Sequence, residues 1–155
     1  GADFVAGEPS CLILGDNILN GSIRPYVDQF REQEQGMRIL LKEVPDPERF
    51  GVPQFDEAGH IQQIIEKPQR PPSPYAVIGV YMMDEQVWDI LPTLPLSERN
   101  QYEITDVQNV YLSRGQLRHD VLDCDWSDAG TPETLWRSAD LIRKTGFIPP
   151  ISLDE

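Results

Sequence analysis

The stretch Cys11-Leu12-Ile13-Leu14-Gly15-Asp16-Asn17 decides the fold class of this 155-residue chain. Four apolar residues run directly into a turn signal, which predicts a buried strand of a parallel or mixed α/β sheet. Ligands of open α/β sheets bind at the carboxyl ends of the strands. Asp16 is therefore expected where a metal ion or a phosphate group would bind. An aspartate that only stabilises its own turn is the alternative, and it stays open here.

Composition excludes several classes of function. The chain has the length of one domain, and 26 acidic against 13 basic residues give a net charge of -13. A protein this acidic is a poor candidate for binding a nucleic-acid polymer or an anionic membrane, and no apolar stretch is long enough to span a bilayer. An anionic substrate would need a local basic group or a divalent cation. Cys11 and Cys124 lack metal-binding spacing, so we expect reduced, buried thiols in a cytoplasmic protein.

The rest of the pattern predicts a mixed central sheet flanked by helices. Strands are expected over 37–41, 51–56, 61–66, 75–83 and 117–122, with the second and third forming a hairpin. Helices are expected over 23–33, 85–91 and 104–112. A last helix has Thr131 as N-cap, an apolar stripe of Leu135, Ala139 and Ile142, and an end before Gly146. Gly79, inside a strand, indicates the close approach of a ligand or of another backbone segment.

A second acid in a comparable position, Asp128, strengthens the interpretation of Asp16. Together with Asp123 and Asp125 it superficially resembles a calcium loop, but the central glycine and the terminal glutamate are missing. Two carboxylates from separate loops at one sheet edge would instead hold Mg²⁺ together with waters and substrate phosphates.

Three other charged or flexible positions have a structural and a functional interpretation. Glu66 and Lys67 are either a solvated pair at a strand end or ligands of sugar hydroxyls and of a phosphate. Arg99 is either a surface charge or a phosphate clamp. Gly51 is either a turn residue or a backbone donor for a ligand.

Six segments in this order resemble the sugar-1-phosphate nucleotidylyltransferases, most of all the glucose-1-phosphate thymidylyltransferases. They are Leu14-Gly15-Asp16-Asn17-Ile18, Pro45-Asp46-Pro47-Glu48-Arg49-Phe50-Gly51-Val52, Glu66-Lys67-Pro68, Tyr75-Ala76-Val77-Ile78-Gly79-Val80-Tyr81, Glu103-Ile104-Thr105-Asp106-Val107 and Trp126-Ser127-Asp128-Ala129-Gly130-Thr131. The resemblance implies a Rossmann-like nucleotide-diphospho-sugar transferase fold. It also implies transfer of a thymidylyl group from dTTP to glucose 1-phosphate, releasing pyrophosphate.

The resemblance also assigns roles to residues. It implies that Asp16 and Asp128 are the Mg²⁺ ligands and that Lys67 and Arg99 are the catalytic cations nearest the phosphate. The substrate-binding positions that it implies are Asn17, Gly51, Glu66, Lys67, Val77, Tyr81, Arg99 and Trp126. Residues 1–145 are expected to form the sugar-phosphate and metal-binding part, and residues 146–155 a C-terminal tail.

One feature of the family is absent from this sequence. Its members open with a glycine-rich loop and an arginine that grip the triphosphate, whereas no such loop occurs here. We therefore expect the fold to be N-terminally incomplete, with Gly1–Pro9 corresponding to the end of a preceding helix and weak or no nucleotidyl transfer by the chain alone. The strand at Leu12 would then be a hydrophobic edge, which predicts a homo-oligomer or pairing through that edge. A non-catalytic sugar-phosphate-binding or interaction module is the alternative function.

Overall fold

The computed structural model describes residues 1–5, 7–97 and 100–146. Its strands are β1 (Ser10–Ile13), β2 (Asn17–Leu19), β3 (Met37–Glu43), β4 (Gly51–Phe55), β5 (Ile61–Glu66), β6 (Tyr75–Met83), β7 (Leu117–Val121) and β8 (Trp126–Asp128). Its α-helices are α1 (Ala2–Val5), α2 (Arg24–Glu32), α3 (Val87–Ile90), α4 (Ile104–Ser113) and α5 (Pro132–Thr145), and 3-10 turns occur at Pro47–Arg49 and Leu91–Thr93.

Strand β6 is the centre of the main sheet. One of its sides pairs with β3, and the other pairs with β4 near its start and with β1 near its end. The order along the sheet is β5-β4-β6-β3-β7, and only β3 and β7 are parallel. Strands β2 and β8 form a separate antiparallel ribbon. The predicted mixed α/β sheet with partly antiparallel pairing is confirmed.

Alternation along β6 produces two cores, one on each face of the sheet. Ile78, Val80 and Met82 pack with Tyr26 and Phe30 of α2. The residues between them, including Val77 and Tyr81, face the opposite core, which also contains residues of α3 and α4. Side chains two residues apart share a face of a strand, so this apolar run can supply both layers.

The first strand differs from its prediction in burial. The strand exists, but Leu12 is 45 % exposed and Ile13 48 % exposed, because no strand of the described residues pairs with the free side of β1. Cys11 is also exposed and Cys124 is half-buried, so the prediction of two buried thiols is wrong; both are free cysteines. An unpaired apolar strand of this kind is a surface that can accept another strand.

The last helix begins and ends where the sequence predicts. The Thr131 side chain accepts a hydrogen bond from the Thr134 N–H, Pro132 is in the first turn, and Gly146 closes the helix at a φ of 63°. The prediction of which face of this helix is buried is wrong, however. Thr134 and Ser138 are buried, whereas Leu135 is 58 % exposed. Ala139 is also exposed and Ile142 is only partly buried.

The helix predicted over 85–91 is much shorter in the structure. Only Val87–Ile90 is α-helical, and a 3-10 turn over Leu91–Thr93 follows it. Pro92 lies in that turn and has no N–H to donate, so it cannot form the backbone hydrogen bond that would continue the α-helix. In the described ranges, no helix combines the length and the apolar character that a membrane span requires.

Candidate active site

Asp16 and Asp128 meet beside the β2–β8 ribbon. Asn17 pairs with Asp128 in the ribbon, and the Ala129 N–H donates to the Asp16 carbonyl oxygen over 2.7 Å. A Cβ atom built on Gly130 would lie 3.3 Å from Asp16 Oδ2 and 3.7 Å from Asp128 Oδ2. Both carboxylates therefore border the same point, although 111 residues separate them in the chain. The missing side chain of Gly130 keeps that point open.

The Asn17 amide connects this acid pair to the main sheet. Its Nδ2 donates to Asp16 Oδ1 over 2.8 Å, and its Oδ1 accepts from the Gly79 N–H at 2.9 Å and from Trp126 Nε1 at 2.7 Å. A Cβ on Gly79 would lie only 2.4 Å from Asn17 Nδ2, so the predicted close approach at Gly79 is made by this side chain. Asn17 was predicted to bind substrate. Its hydrogen bonds place it where it can orient the Asp16 carboxylate.

Arg49 supplies a cation that the sequence analysis did not single out. Its guanidinium contacts Asp128 Oδ2 at 2.7 Å and Asp46 Oδ2 at 2.9 Å. The hydrogen bond that Arg49 donates to Asp46 and the charge of Asp128 raise the pKa of Arg49, against the opposing effect of partial burial. In the sequence, Arg49 lies within a segment that carries the family resemblance and three residues after Asp46, but that spacing is equally typical of a solvated ion pair.

The predicted sugar-phosphate residues lie together at the β4–β5 hairpin. Gly51 is paired with Glu66 in the hairpin and with Val77 on β6. Glu66 Oε2 accepts a hydrogen bond of 2.6 Å from the hydroxyl of Thr105 on α4, and Lys67 Nζ lies 3.6 Å from Glu66 Oε1. Thr105 was not predicted, because a threonine in the first turn of a helix is ordinarily a helix-end residue.

Lys67 has an unusual backbone conformation for a residue with a side chain. Its φ is 44°, in the left-handed region, and Pro68 follows it. A conformation of this kind costs about 1–3 kcal/mol and is found preferentially at functional sites, where the surrounding structure enforces it. The Lys67 N–H donates to the Phe50 carbonyl oxygen over 2.9 Å, which ties this position to the loop of Arg49.

The acid pair and the hairpin residues line one cavity of about 270 Å³. Its lining includes every described residue of the predicted site, namely Asp16, Asn17, Gly51, Glu66, Lys67, Val77, Tyr81, Trp126 and Asp128. Burial raises the pKa of Tyr81, and the charges of Glu66 and Asp16 raise it further, so its hydroxyl stays protonated. Arg99 lies outside the described residues.

The acid pair fits a divalent cation that is shared with a ligand. Mg²⁺ is commonly bound through one or two carboxylates, with waters and substrate phosphates completing its shell. Asp16 and Asp128 supply such a pair, while residues 1–5, 7–97 and 100–146 contain no group of three or more potential metal-binding side chains. Arg49 shares Asp128 Oδ2, so a cation bound there would compete with its guanidinium.

The chain belongs to the nucleotidyl transferase family, whose model matches residues 1–145. Among named relatives, it is 41 % identical over 145 residues to a glucose-1-phosphate thymidylyltransferase of Xanthomonas campestris pv. campestris, a match that covers 92 % of this chain and 49 % of the relative. It is 42 % identical to the glucose-1-phosphate thymidylyltransferase of Actinoplanes sp., over 92 % of this chain and 48 % of that protein.

Solved structures agree with this assignment. A Bacillus anthracis protein assigned as a glucose-1-phosphate thymidylyltransferase, solved with a sucrose, superposes with a TM-score of 0.85 at 42 % identity, over 99 % of this chain and 59 % of that one. A UDP-glucose pyrophosphorylase bound to UDP-glucose has a TM-score of 0.82 at 22 % identity, over 93 % of this chain and 59 % of that one, and supports the fold alone. The chain spans about half the length of the curated relatives it matches. Their names support the transferase interpretation and give no support to a non-catalytic module.

Proposed function

We propose that the protein containing this chain transfers a thymidylyl group from dTTP to glucose 1-phosphate, giving dTDP-glucose and pyrophosphate. The observation that carries this proposal is the common cavity, which is lined both by the carboxylate pair of Asp16 and Asp128 and by Glu66 and Lys67. That arrangement suits a substrate with a phosphate at one end and sugar hydroxyls at the other. The relatives named glucose-1-phosphate thymidylyltransferase suggest which nucleotide and sugar are used.

The reaction requires positioning more than proton transfer. A phosphate oxygen of the sugar phosphate forms a bond to the α-phosphorus of dTTP, and the bond from that phosphorus to the bridging oxygen breaks. The electron pair leaves with pyrophosphate. Because the attacking oxygen is already an anion, no base has to remove a proton.

Each group of residues that lines the cavity has a proposed role. Lys67 and Arg99 bind the phosphate of the sugar phosphate, while Gly51, Glu66 and Val77 orient the sugar. Asp16 and Asp128 hold Mg²⁺, which when bound offsets the negative charge on the phosphates. Asn17 and Trp126 keep Asp16 in place through their shared hydrogen bonds.

Assembly and location belong to this proposal as well. The exposed edge of β1 supports self-association or pairing with another chain, and a cytoplasmic location is consistent with two free cysteines. Sedimentation velocity over a concentration series measures the association. The substitution Leu12→Lys, which places a charge on this edge, is expected to weaken the association.

Calorimetric titration of the folded chain with glucose 1-phosphate tests the proposal. Binding is expected in Mg²⁺, weaker binding in EDTA, and a loss of roughly tenfold or more in Lys67→Gln, because the phosphate loses a charged partner. Arg70→Gln is the matched control, since Arg70 is an exposed cation on the following connector that does not line the cavity. Pyrophosphate release from dTTP measures the transfer itself. A folded chain that binds no hexose phosphate in Mg²⁺ would contradict the proposal.

A further inference from the structure

Gln108 has a side chain whose hydrogen-bonding capacity is unused. It lies on α4 and lines the site cavity, and only 1 % of it is exposed. Neither Oε1 nor Nε2 has a hydrogen-bond partner in the described part of the chain. Because both atoms lack partners, the conclusion does not depend on which way the amide is turned.

Two polar side chains close to Gln108 on this helix, those of Asn109 and Thr105, are paired. Asn109, the next residue, accepts from the Ile64 N–H at 2.9 Å and donates to the Ile64 carbonyl oxygen at 2.8 Å. Thr105, one turn before Gln108, donates to Glu66. The helix therefore satisfies its inward-facing polar groups on both sides of Gln108. A buried amide without partners is unfavourable, so it is rare unless a ligand or a water completes it.

We propose that Gln108 recognises a hydroxyl group of the sugar, and so helps to determine which hexose phosphate binds; this inference rests on the proposed function. An amide offers one donor group and one acceptor, and a hydroxyl is the ligand group that also donates and accepts. A phosphate oxygen would use only the donor, and a metal ion only the acceptor.

The position of Gln108 on its helix agrees with this role. Residues three apart on a helix share a face, so Gln108 and Thr105 are neighbours on the side of α4 that borders the cavity. Thr105 holds Glu66, which is the proposed partner of sugar hydroxyls. Gln108 thus lies one helical turn further along α4 than Thr105, where it would add a contact to the sugar.

Calorimetric titration with a deoxy series tests the inference. The probes are glucose 1-phosphate and its 2-, 3-, 4- and 6-deoxy analogues, each in Mg²⁺. In the unmodified chain, the analogue that lacks the hydroxyl bound by Gln108 is expected to bind about 3- to 10-fold more weakly. Methionine is of similar length and cannot donate a hydrogen bond. The Gln108→Met variant should therefore bind glucose 1-phosphate more weakly by a similar factor, and should bind glucose 1-phosphate and that deoxy analogue with equal affinity. Gln63→Leu, at an exposed position of β5, is the control and should keep the full pattern.

A structural role for Gln108 predicts different results. Chemical denaturation without ligand should give Gln108→Met a free energy of unfolding at least equal to that of the unmodified chain, because no hydrogen bond is lost. A clear decrease, or an equal loss of affinity for all five probes, would overturn the inference while the proposed function stands. Gln108→Asn, which keeps the amide but shortens it, gives a second test if the methionine variant does not fold. Absence of binding to every probe by the unmodified chain would instead overturn the proposed function, and this inference with it.

Discussion

The replacement Asn17→Ala removes three hydrogen bonds from the centre of the site. The lost partners are the Asp16 carboxylate, the Gly79 N–H and the indole N–H of Trp126. All three bonds are partly buried, and each contributes about 1 kcal/mol to stability. We expect the free energy of unfolding to fall by about 3 kcal/mol, and more if the Gly79 N–H is left buried without a partner.

The chain offers a matched control three residues away. Asn20 also hydrogen-bonds across the ribbon, donating to Asp125 Oδ2 and accepting from the Asp125 N–H, both at 2.8 Å. These bonds are exposed, and water can replace them when the side chain is removed. Asn20→Ala is therefore expected to lower stability by about 1 kcal/mol or less.

Two measurements separate the role of Asn17 from a general loss of stability. Urea denaturation gives the unfolding free energies, and Mn²⁺ titration followed by electron paramagnetic resonance gives the metal affinity. Because Asn17 orients Asp16, Asn17→Ala should bind Mn²⁺ several-fold more weakly, whereas Asn20→Ala should bind it normally. Equal destabilisation in the two variants, or unchanged Mn²⁺ affinity in Asn17→Ala, would refute this account.

The other predictions concern metal access, charge and pH. Gly130→Ala should lower Mn²⁺ affinity several-fold, since its methyl group would border both carboxylates; Gly15→Ala, with nothing within 4 Å, is the control and should not. Arg49→Gln should raise Mn²⁺ affinity several-fold in the same titration, because Asp128 loses a competing cation, and a fall would show that Arg49 supports the metal instead. Burial lowers the pKa of His119, so the unfolded chain takes up its proton first, and stability should decrease as pH falls below about 6.5. Denaturation from pH 7.5 to 5 should show a weaker decrease in His119→Gln; an identical decrease would exclude this histidine as its source.

Local sequence patterns were sufficient to predict most of the elements. A continuous apolar run identified β6, and a glycine-containing loop identified the β4–β5 hairpin. Thr131, Pro132 and Gly146 marked both ends of α5. These signals depend on backbone conformation and on residues close in the chain, so they need no knowledge of the tertiary structure.

The buried face of α5 could not be predicted in this way. Periodicity favours the apolar stripe of Leu135 and Ala139, but the helix buries Thr134 and Ser138 instead. The Ser138 hydroxyl donates to the Thr134 carbonyl oxygen at 2.8 Å and lies 2.8 Å from Ser127 Oγ, so polar contacts with β8 fix the orientation of the helix. Which face of a helix is covered depends on its neighbours, and a hydrophobic pattern assumes that the apolar face always is.

The candidate site was predicted partly from the position of Asp16 after a strand and partly from the family resemblance, which supplied residues such as Gly51 and Val77. Asp16 was singled out because it follows an apolar strand, and Asp128 as a second acid in a comparable position; the structure brings the two to one point. Arg49, Thr105 and Gln108 were missed, since each reaches the cavity from a turn or helix that folds over the sheet. Sequence spacing on those elements contains no information about the distance to a strand end.

The charges that line the cavity indicate that a phosphate group needs an additional cation in order to bind there. The described lining contains three carboxylates, those of Asp16, Glu66 and Asp128, against two cations, those of Arg49 and Lys67. Asp128 already forms an ion pair with Arg49, and Lys67 forms an ion pair with Glu66. A phosphate entering this cavity without an additional cation would therefore meet no excess of positive charge. A divalent ion at the acid pair would reverse that balance locally and release Arg49 toward the phosphate, so metal and sugar phosphate should each strengthen the binding of the other.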